Sequence, residues 1–255
     1  QEMSSTLEAP QPPDAADTDP AASATGEAAV TAPAETMPAD VTVLPAAPAE
    51  VLAMDIVLVL DNSGSMKKND PQFFATRAVE EFINNLQSPT HIAVIIFDQD
   101  VRLAFPLEEI NDISRADILR SIEQINYKGL YTNIPDAIER AIYELKNSGR
   151  TESSKSIIFL TDGIVDTGNA ALDQEKTAWL KDTLAADAAD EGIAVYGIAF
   201  TEQADFQLIQ SLAQKTDGEY FRALTPEELS TVYDKVQAQI AKAAIPPPPP
   251  PVAAP

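Results

Sequence analysis

Four stretches of the chain are continuously apolar and rich in β-branched residues: Met54–Leu60, His91–Phe97, Lys155–Thr161 and Ile193–Phe200. A strand covered on both faces needs that pattern, whereas a strand with one wet face alternates. The segments between them carry helical spacing. Pro71–Leu86 puts Phe74, Ala78, Phe82 and Leu86 on one face, with Asp70 as its expected N-cap. Thr132–Leu145 repeats the pattern through Ile134, Ala137, Ile138, Ala141, Ile142 and Leu145, and Gly149 ends it. Further helices are predicted over Ser114–Ile125 (capped by Ser114), Leu172–Glu191 (stopped by Gly192), Asp205–Lys215 and Thr225–Ala244. Val101–Phe105 alternates and follows the second strand across Asp98-Gln99-Asp100, so it reads as the antiparallel arm of a hairpin at a sheet edge. Tyr220–Arg222 is a short last strand.

Strands alternating with helices imply an α/β fold. The expected form is a doubly wound, Rossmann-like, mostly parallel sheet with one antiparallel edge strand and helices on both faces. Ligands of such sheets bind at the carboxyl ends of the strands, where the winding direction reverses.

Composition divides the chain. Residues 1–50 hold nine of the 40 acidic residues, 14 Ala, 8 Pro and none of the 17 Lys and Arg, so they are expected to be a disordered acidic segment. A run of six prolines, Pro246–Pro251, falls in a proline-rich tail, 245–255, expected to be stiff polyproline II. The domain proper is assigned to 51–244. The net charge is −23, and 31 acidic against 17 basic residues beyond position 50 leave −14. That balance disfavours nucleic acid, whose binding neutralises phosphates, and direct docking on anionic lipid. The absence of cysteine excludes disulfides, thiolate metal sites and cysteine nucleophiles. The tails look like spacers, and a chain opening at Gln1 fits a processed protein, so an extracytoplasmic place (periplasmic, secreted or surface-anchored) is expected. Oligomeric state is left open.

The chemistry concentrates in three loops. Asp61-Asn62-Ser63-Gly64-Ser65 follows the first strand and offers one carboxylate and two hydroxyls at alternate positions. Thr132 opens a helix, and Thr161-Asp162-Gly163 closes a strand. Together they supply two carboxylates and three hydroxyls, an all-oxygen set suited to a hard cation such as Mg²⁺. No His or Cys is at hand for zinc or copper.

Asp61-Asn62-Ser63-Gly64-Ser65 resembles the Asp-x-Ser-x-Ser signature of the von Willebrand factor A family. Thr132 and Asp162 match that family's second and third metal-site segments in order, and the resemblance spans about residues 53–242. It implies a metal-ion-dependent adhesion site, with Ser63, Ser65 and Thr132 as hydroxyl ligands and Asp61 and Asp162 binding directly or through water. Mg²⁺ is the expected ion, with Mn²⁺ or Ca²⁺ as alternatives. The open coordination position implies a protein partner that supplies an Asp or Glu carboxylate. Tyr131 departs from the small residue common at that place, and the paired cysteines of some extracellular members are missing.

An assembly factor for a larger complex, cytoplasmic or periplasmic, is the alternative within binding. A metal-assisted hydrolase would need a base near the serines, and His91, the single histidine, opens a strand far from them in sequence. No phosphate-cradling glycine loop is present. Asp98 and Asp100 read as a solvated hairpin, Asp166, Asp173 and Glu175 as loop and helix-start residues, and Trp179 as partly buried packing.

Overall fold

The computed structural model describes residues 52–245; the acidic segment and the proline run lie outside the described residues. In chain order the elements are β1 (Ala53–Asp61), α1 (Met66–Asn69), α2 (Phe74–Asn85), β2 (Thr90–Phe97), β3 (Val101–Glu109) and α3 (Asp112–Ile122). Then come α4 (Ile134–Ser148), β4 (Ser153–Thr161) and α5 (Ala170–Trp179), which continues through a π-helical turn (Leu180–Leu184) into α6 (Ala185–Asp190). They are followed by β5 (Ile193–Phe200), α7 (Phe206–Lys215), β6 (Tyr220–Ala223) and, after a 3₁₀ turn at Pro226–Glu228, α8 (Leu229–Ala243).

One six-stranded sheet runs β3-β2-β1-β4-β5-β6. All neighbours are parallel except β2 and β3, which form the expected antiparallel hairpin at one edge. The central strands are apolar on both faces because each face meets helices. Ile56, Leu58 and Leu60 of β1 point into a core completed by α2, α3 and α8. Val57 and Val59 point the other way, into a core completed by α4, α6 and α7. The sheet therefore winds outward in both directions from β1 and β4, and their carboxyl ends mark the switch in winding.

Several local expectations need correction. Asp70 is not the residue flanking α2. It sits four residues back, buried, and its carboxylate accepts from the backbone N–H of Phe74 (2.7 Å) and of Ala75 (2.9 Å), while Phe73 takes the cap position with φ 57°. Ser114 does not cap α3 either. Asn111 does, in a reciprocal box in which the Ser114 hydroxyl answers the Asn111 N–H. The Asn111 carboxamide oxygen reaches two orphan amides, which starts the helix two residues earlier than an apolar pattern reveals. The long helix expected over Leu172–Glu191 is there, but with the π-helical turn inside it, and no periodicity argument reports that.

Candidate functional site

The strand register builds the site. Leu60 of β1 is opposite Leu160 of β4, so Asp61 comes level with Thr161 and Asp162 lies one step beyond. The Thr161 hydroxyl donates to Asp61 Oδ2 at 2.5 Å, and the Ser63 N–H donates to Asp61 Oδ1 at 2.7 Å. The 61–65 loop thus curls back over its own aspartate. Ser63 Oγ and Ser65 Oγ are 3.0 Å apart, and the Ser65 hydroxyl donates to Asp162 Oδ1 at 2.7 Å. Asp61, Ser63, Ser65 and Asp162 are therefore brought together in one hydrogen-bonded cluster.

Thr132 arrives from a third element and joins them by backbone geometry. Its N–H donates to the Asp166 carbonyl (2.8 Å) and its carbonyl accepts from the Asp166 N–H (3.1 Å). That two-bond clamp seats Thr132 over Gly163, where an added Cβ would lie 3.5 Å from Thr132 Oγ1. Thr132 is buried.

Three supporting residues escaped the sequence reading. Asn69, on the short helix α1, donates to Asp162 Oδ2 at 2.7 Å and fixes that carboxylate from its second oxygen. Nothing in a four-residue helix shows periodicity, so Asn69 carried no signal. Thr161 stood inside a segment already singled out, and the register alone assigns its role. Asn62 ties the loop to its surroundings. Its carboxamide oxygen accepts from the N–H of Asn126 (2.8 Å) and Tyr127 (2.9 Å), and its nitrogen donates to Asp98 (3.0 Å). Asp98 is accordingly a tie between the hairpin and the site loop.

Glycines allow the close approach of these loops. The Gly64 N–H donates to the Gly129 carbonyl at 2.9 Å, and the Gly129 N–H to the Asn62 carbonyl at 3.2 Å. A Cβ on Gly129 would lie 2.2 Å from Asp98 Cβ, so only glycine fits there. Gly64 was expected to supply a sharp turn; its φ is not positive, and its service is the narrow gap to Gly129.

The electrostatics disfavour two charged acids at this spot. Burial, and next the neighbouring Asp162 charge, push the Asp61 carboxyl up to about 7 despite the bonds from Ser63 and Thr161. Burial also raises Asp162, against the lowering effect of Ser65 and Asn69. Neither carboxylate makes an ion pair among the described residues. Two buried acids side by side without a positive partner are costly, and a cation is the usual remedy. Among the described residues no group of three or more His, Cys, Asp or Glu is placed to hold a metal, and the oxygen donors gathered here are two carboxylates and neighbouring hydroxyls.

His91 sits at the opposite, amino end of the sheet, level with Asp55 and paired with Glu109 of β3. Tyr131 is half exposed and leans on Gly168, where an added Cβ would lie 2.7 Å from the ring. Asp173 holds the neighbouring loop by accepting from the Thr167 N–H and hydroxyl, both at 2.7 Å. Trp179 is partly buried against the core, as expected.

Fold and site together describe an open α/β domain with an oxygen-donor cluster at its switch point. A sequence profile of the von Willebrand factor type A domain matches residues 55–235, and the chain belongs to that family. Mouse vitrin is 29% identical over 116 residues, which cover 43% of this chain and 17% of vitrin. Among solved structures, the von Willebrand factor type A protein from Catenulispora acidiphila superposes with TM-score 0.62 at 17% identity, covering 75% of this chain and 43% of that one. An aerotolerance-related membrane protein from Bacteroides fragilis gives TM-score 0.59 at 16% identity, with 74% and 99% covered. Proximal thread matrix protein 1 of the mussel byssus, with a zinc-occupied MIDAS motif, gives 0.56 at 22% identity, with 72% and 47% covered. The chain thus spans under half the length of vitrin and of the Catenulispora protein. No helix among the described residues is long and apolar enough to cross a membrane.

Proposed function

We propose that this domain is a metal-ion-dependent protein-binding module in which Asp61, Ser63, Ser65, Thr132 and Asp162 hold a divalent cation. The observation that carries it is the Ser63–Ser65–Asp162 hydrogen-bonded chain beside a second buried carboxylate, Asp61, with neither acid in an ion pair among the described residues. The donor set is all oxygen and preorganised by Asn69 and Thr161, which suits Mg²⁺, Mn²⁺ or Ca²⁺. Zinc occupies the motif of the mussel protein, so it belongs in the comparison. Bound there, the ion supplies an electrophilic position for a carboxylate from a partner protein. This chain's residues hold it, keep both acids oriented and present it at the carboxyl edge of the sheet. A catalytic role lacks support, since the one histidine is at the far edge. An extracytoplasmic setting is supported by a membrane protein and a byssus protein among the structural neighbours.

The test is thermal unfolding of the full chain in EDTA and in each of the four ions, for wild type and Ser65→Ala. An ion at about 100 times its dissociation constant should add roughly 2.7 kcal/mol to wild type. Ser65→Ala, which removes the hydroxyl bridging Ser63 and Asp162, should lose most of that gain. If wild type unfolds at the same temperature in all five conditions, the proposal fails.

A further inference from the structure

The site sits within an unusual rim. Ten large apolar side chains are exposed among the described residues, and seven lie on loops or helix starts at the carboxyl edge. Four adjoin the site segments directly. Leu130 (74% exposed) follows Gly129, the backbone partner of Gly64. Tyr131 precedes Thr132. Ile164 (56% exposed) follows Gly163, after the end of β4. Phe73 stacks on Tyr127 with ring centroids 4.7 Å apart, and the Tyr127 N–H is held by Asn62 of the site loop. Leaving such side chains wet around one spot opposes folding and favours whatever covers them. Structural demand does not account for Leu130 and Ile164, because neither is packed into a core cluster.

The same rim carries positive charge. Lys67 and Lys68 lie on α1 just after Ser65, and Lys128 precedes Gly129. All three are exposed, and none makes an ion pair among the described residues. In a chain of net charge −23 these lysines offset the repulsion an acidic partner would meet at this edge. A shallow groove of about 440 Å³ leads from Asn62 past Lys128 and Leu130 to Asp98, Asp100 and Arg102 of the β2–β3 hairpin, giving an extended segment a path that ends beside the site loop.

We propose that this rim selects its partner, and that the partner is a protein segment in which one Asp or Glu stands between large apolar side chains. The inference rests on the cation-dependent reading above and specifies what that reading leaves open. The carboxylate goes to the centre, its neighbours cover Leu130 on one side and Ile164 on the other, and the lysines lie outside them.

The probe is a displayed library of heptapeptides with Glu fixed at the centre and the other positions random, selected on the full chain in Mg²⁺ and in EDTA. The expected result is magnesium-dependent enrichment of large apolar residues beside the Glu. The enriched peptide should bind Leu130→Ser/Ile164→Ser about a hundredfold more weakly, the loss of two large apolar side chains' burial. That variant's thermal response to Mg²⁺ should match wild type, which separates a lost rim from a lost fold. Magnesium-dependent peptides with no apolar bias, or an unchanged affinity in the double variant, overturn the rim proposal and leave the site reading standing. A selection that returns no magnesium-dependent peptide overturns the rim proposal, and it overturns the site reading too only if wild type also lacks the thermal response to Mg²⁺.

Discussion

Asp61→Asn should make the metal-free protein more stable at neutral pH, although it alters a residue at the heart of the site. The reason is the raised carboxyl, pushed by burial up to about 7 in the folded chain from its ordinary 3.8. Between those two values the folded state keeps a proton that the unfolded state has shed. The stability supplied by that proton is fully present below the unfolded value and is lost as pH rises through about 7. At ~1.36 kcal/mol per pH unit, the loss from about pH 5 to about pH 7 is ~2.7 kcal/mol, an upper bound because the folded protein can relax or admit water. Asp162 is also raised by burial, so its contribution has the same sign. Asn at position 61 never ionises, keeps its oxygen for the Ser63 N–H and offers Thr161 a donor instead of an acceptor. Urea unfolding in EDTA at about pH 5, 6, 7 and 8 reads the effect. Wild type should weaken steadily up to neutrality, and Asp61→Asn should weaken less, gaining on wild type by one to a few kcal/mol at about pH 8. With Mg²⁺ present the wild-type loss should shrink, because a bound cation favours the ionised pair that protonation opposes. Parallel pH profiles for the two proteins in EDTA would refute the reasoning, since the raised carboxyl would then not be the group that titrates.

Two further substitutions test the framework. Arg150→Ala leaves the fully buried Asp55 without the guanidinium that bonds it at 2.6 and 2.8 Å, although the Arg150 N–H and the Ser153 hydroxyl remain. Breaking such a pair costs ~3 kcal/mol, readable as a lower urea midpoint, and a change below ~1 kcal/mol would mean the pair behaves as if solvated. Gly129→Ala forces a Cβ against Asp98 and should cost ~1–3 kcal/mol by overpacking. It should also blunt the thermal response to Mg²⁺, because Gly129 spaces the 61–65 loop; an unchanged response would show that the loop holds its shape without it.

The sheet was legible because burial on both faces erases alternation, and that erasure is itself a signal. Ile193–Phe200 matches β5 residue for residue for this reason. Helix starts were less legible because they depend on side-chain bonds rather than on periodicity. Asp70 reaches forward four and five residues to amides that a flanking cap would satisfy two or three residues on. Its second oxygen also accepts from the Tyr127 hydroxyl, at 2.8 Å, so a long-range contact settles where α2 begins. No local rule contains that contact.

The site divides along the same line. Asp61, Ser63 and Ser65 were readable because a tight loop brings alternate residues together whatever the rest of the fold does. Asp162 was readable because the end of a buried strand is easy to locate, and the parallel register then brings it beside Asp61. Thr132 needed the family pattern, since only the Asp166 clamp brings it over Gly163. What stayed hidden is the depth of Asp61 and the lack of an ion pair to either acid among the described residues, which make the acids hard to keep charged, and the amide of Asn69, which orients Asp162 and favours its charged form. Motif spacing says which oxygens can meet. Burial decides whether their meeting favours a cation, and the proposed site puts two buried carboxylates and three hydroxyls at the edge that also carries seven of the ten exposed large apolar side chains among the described residues.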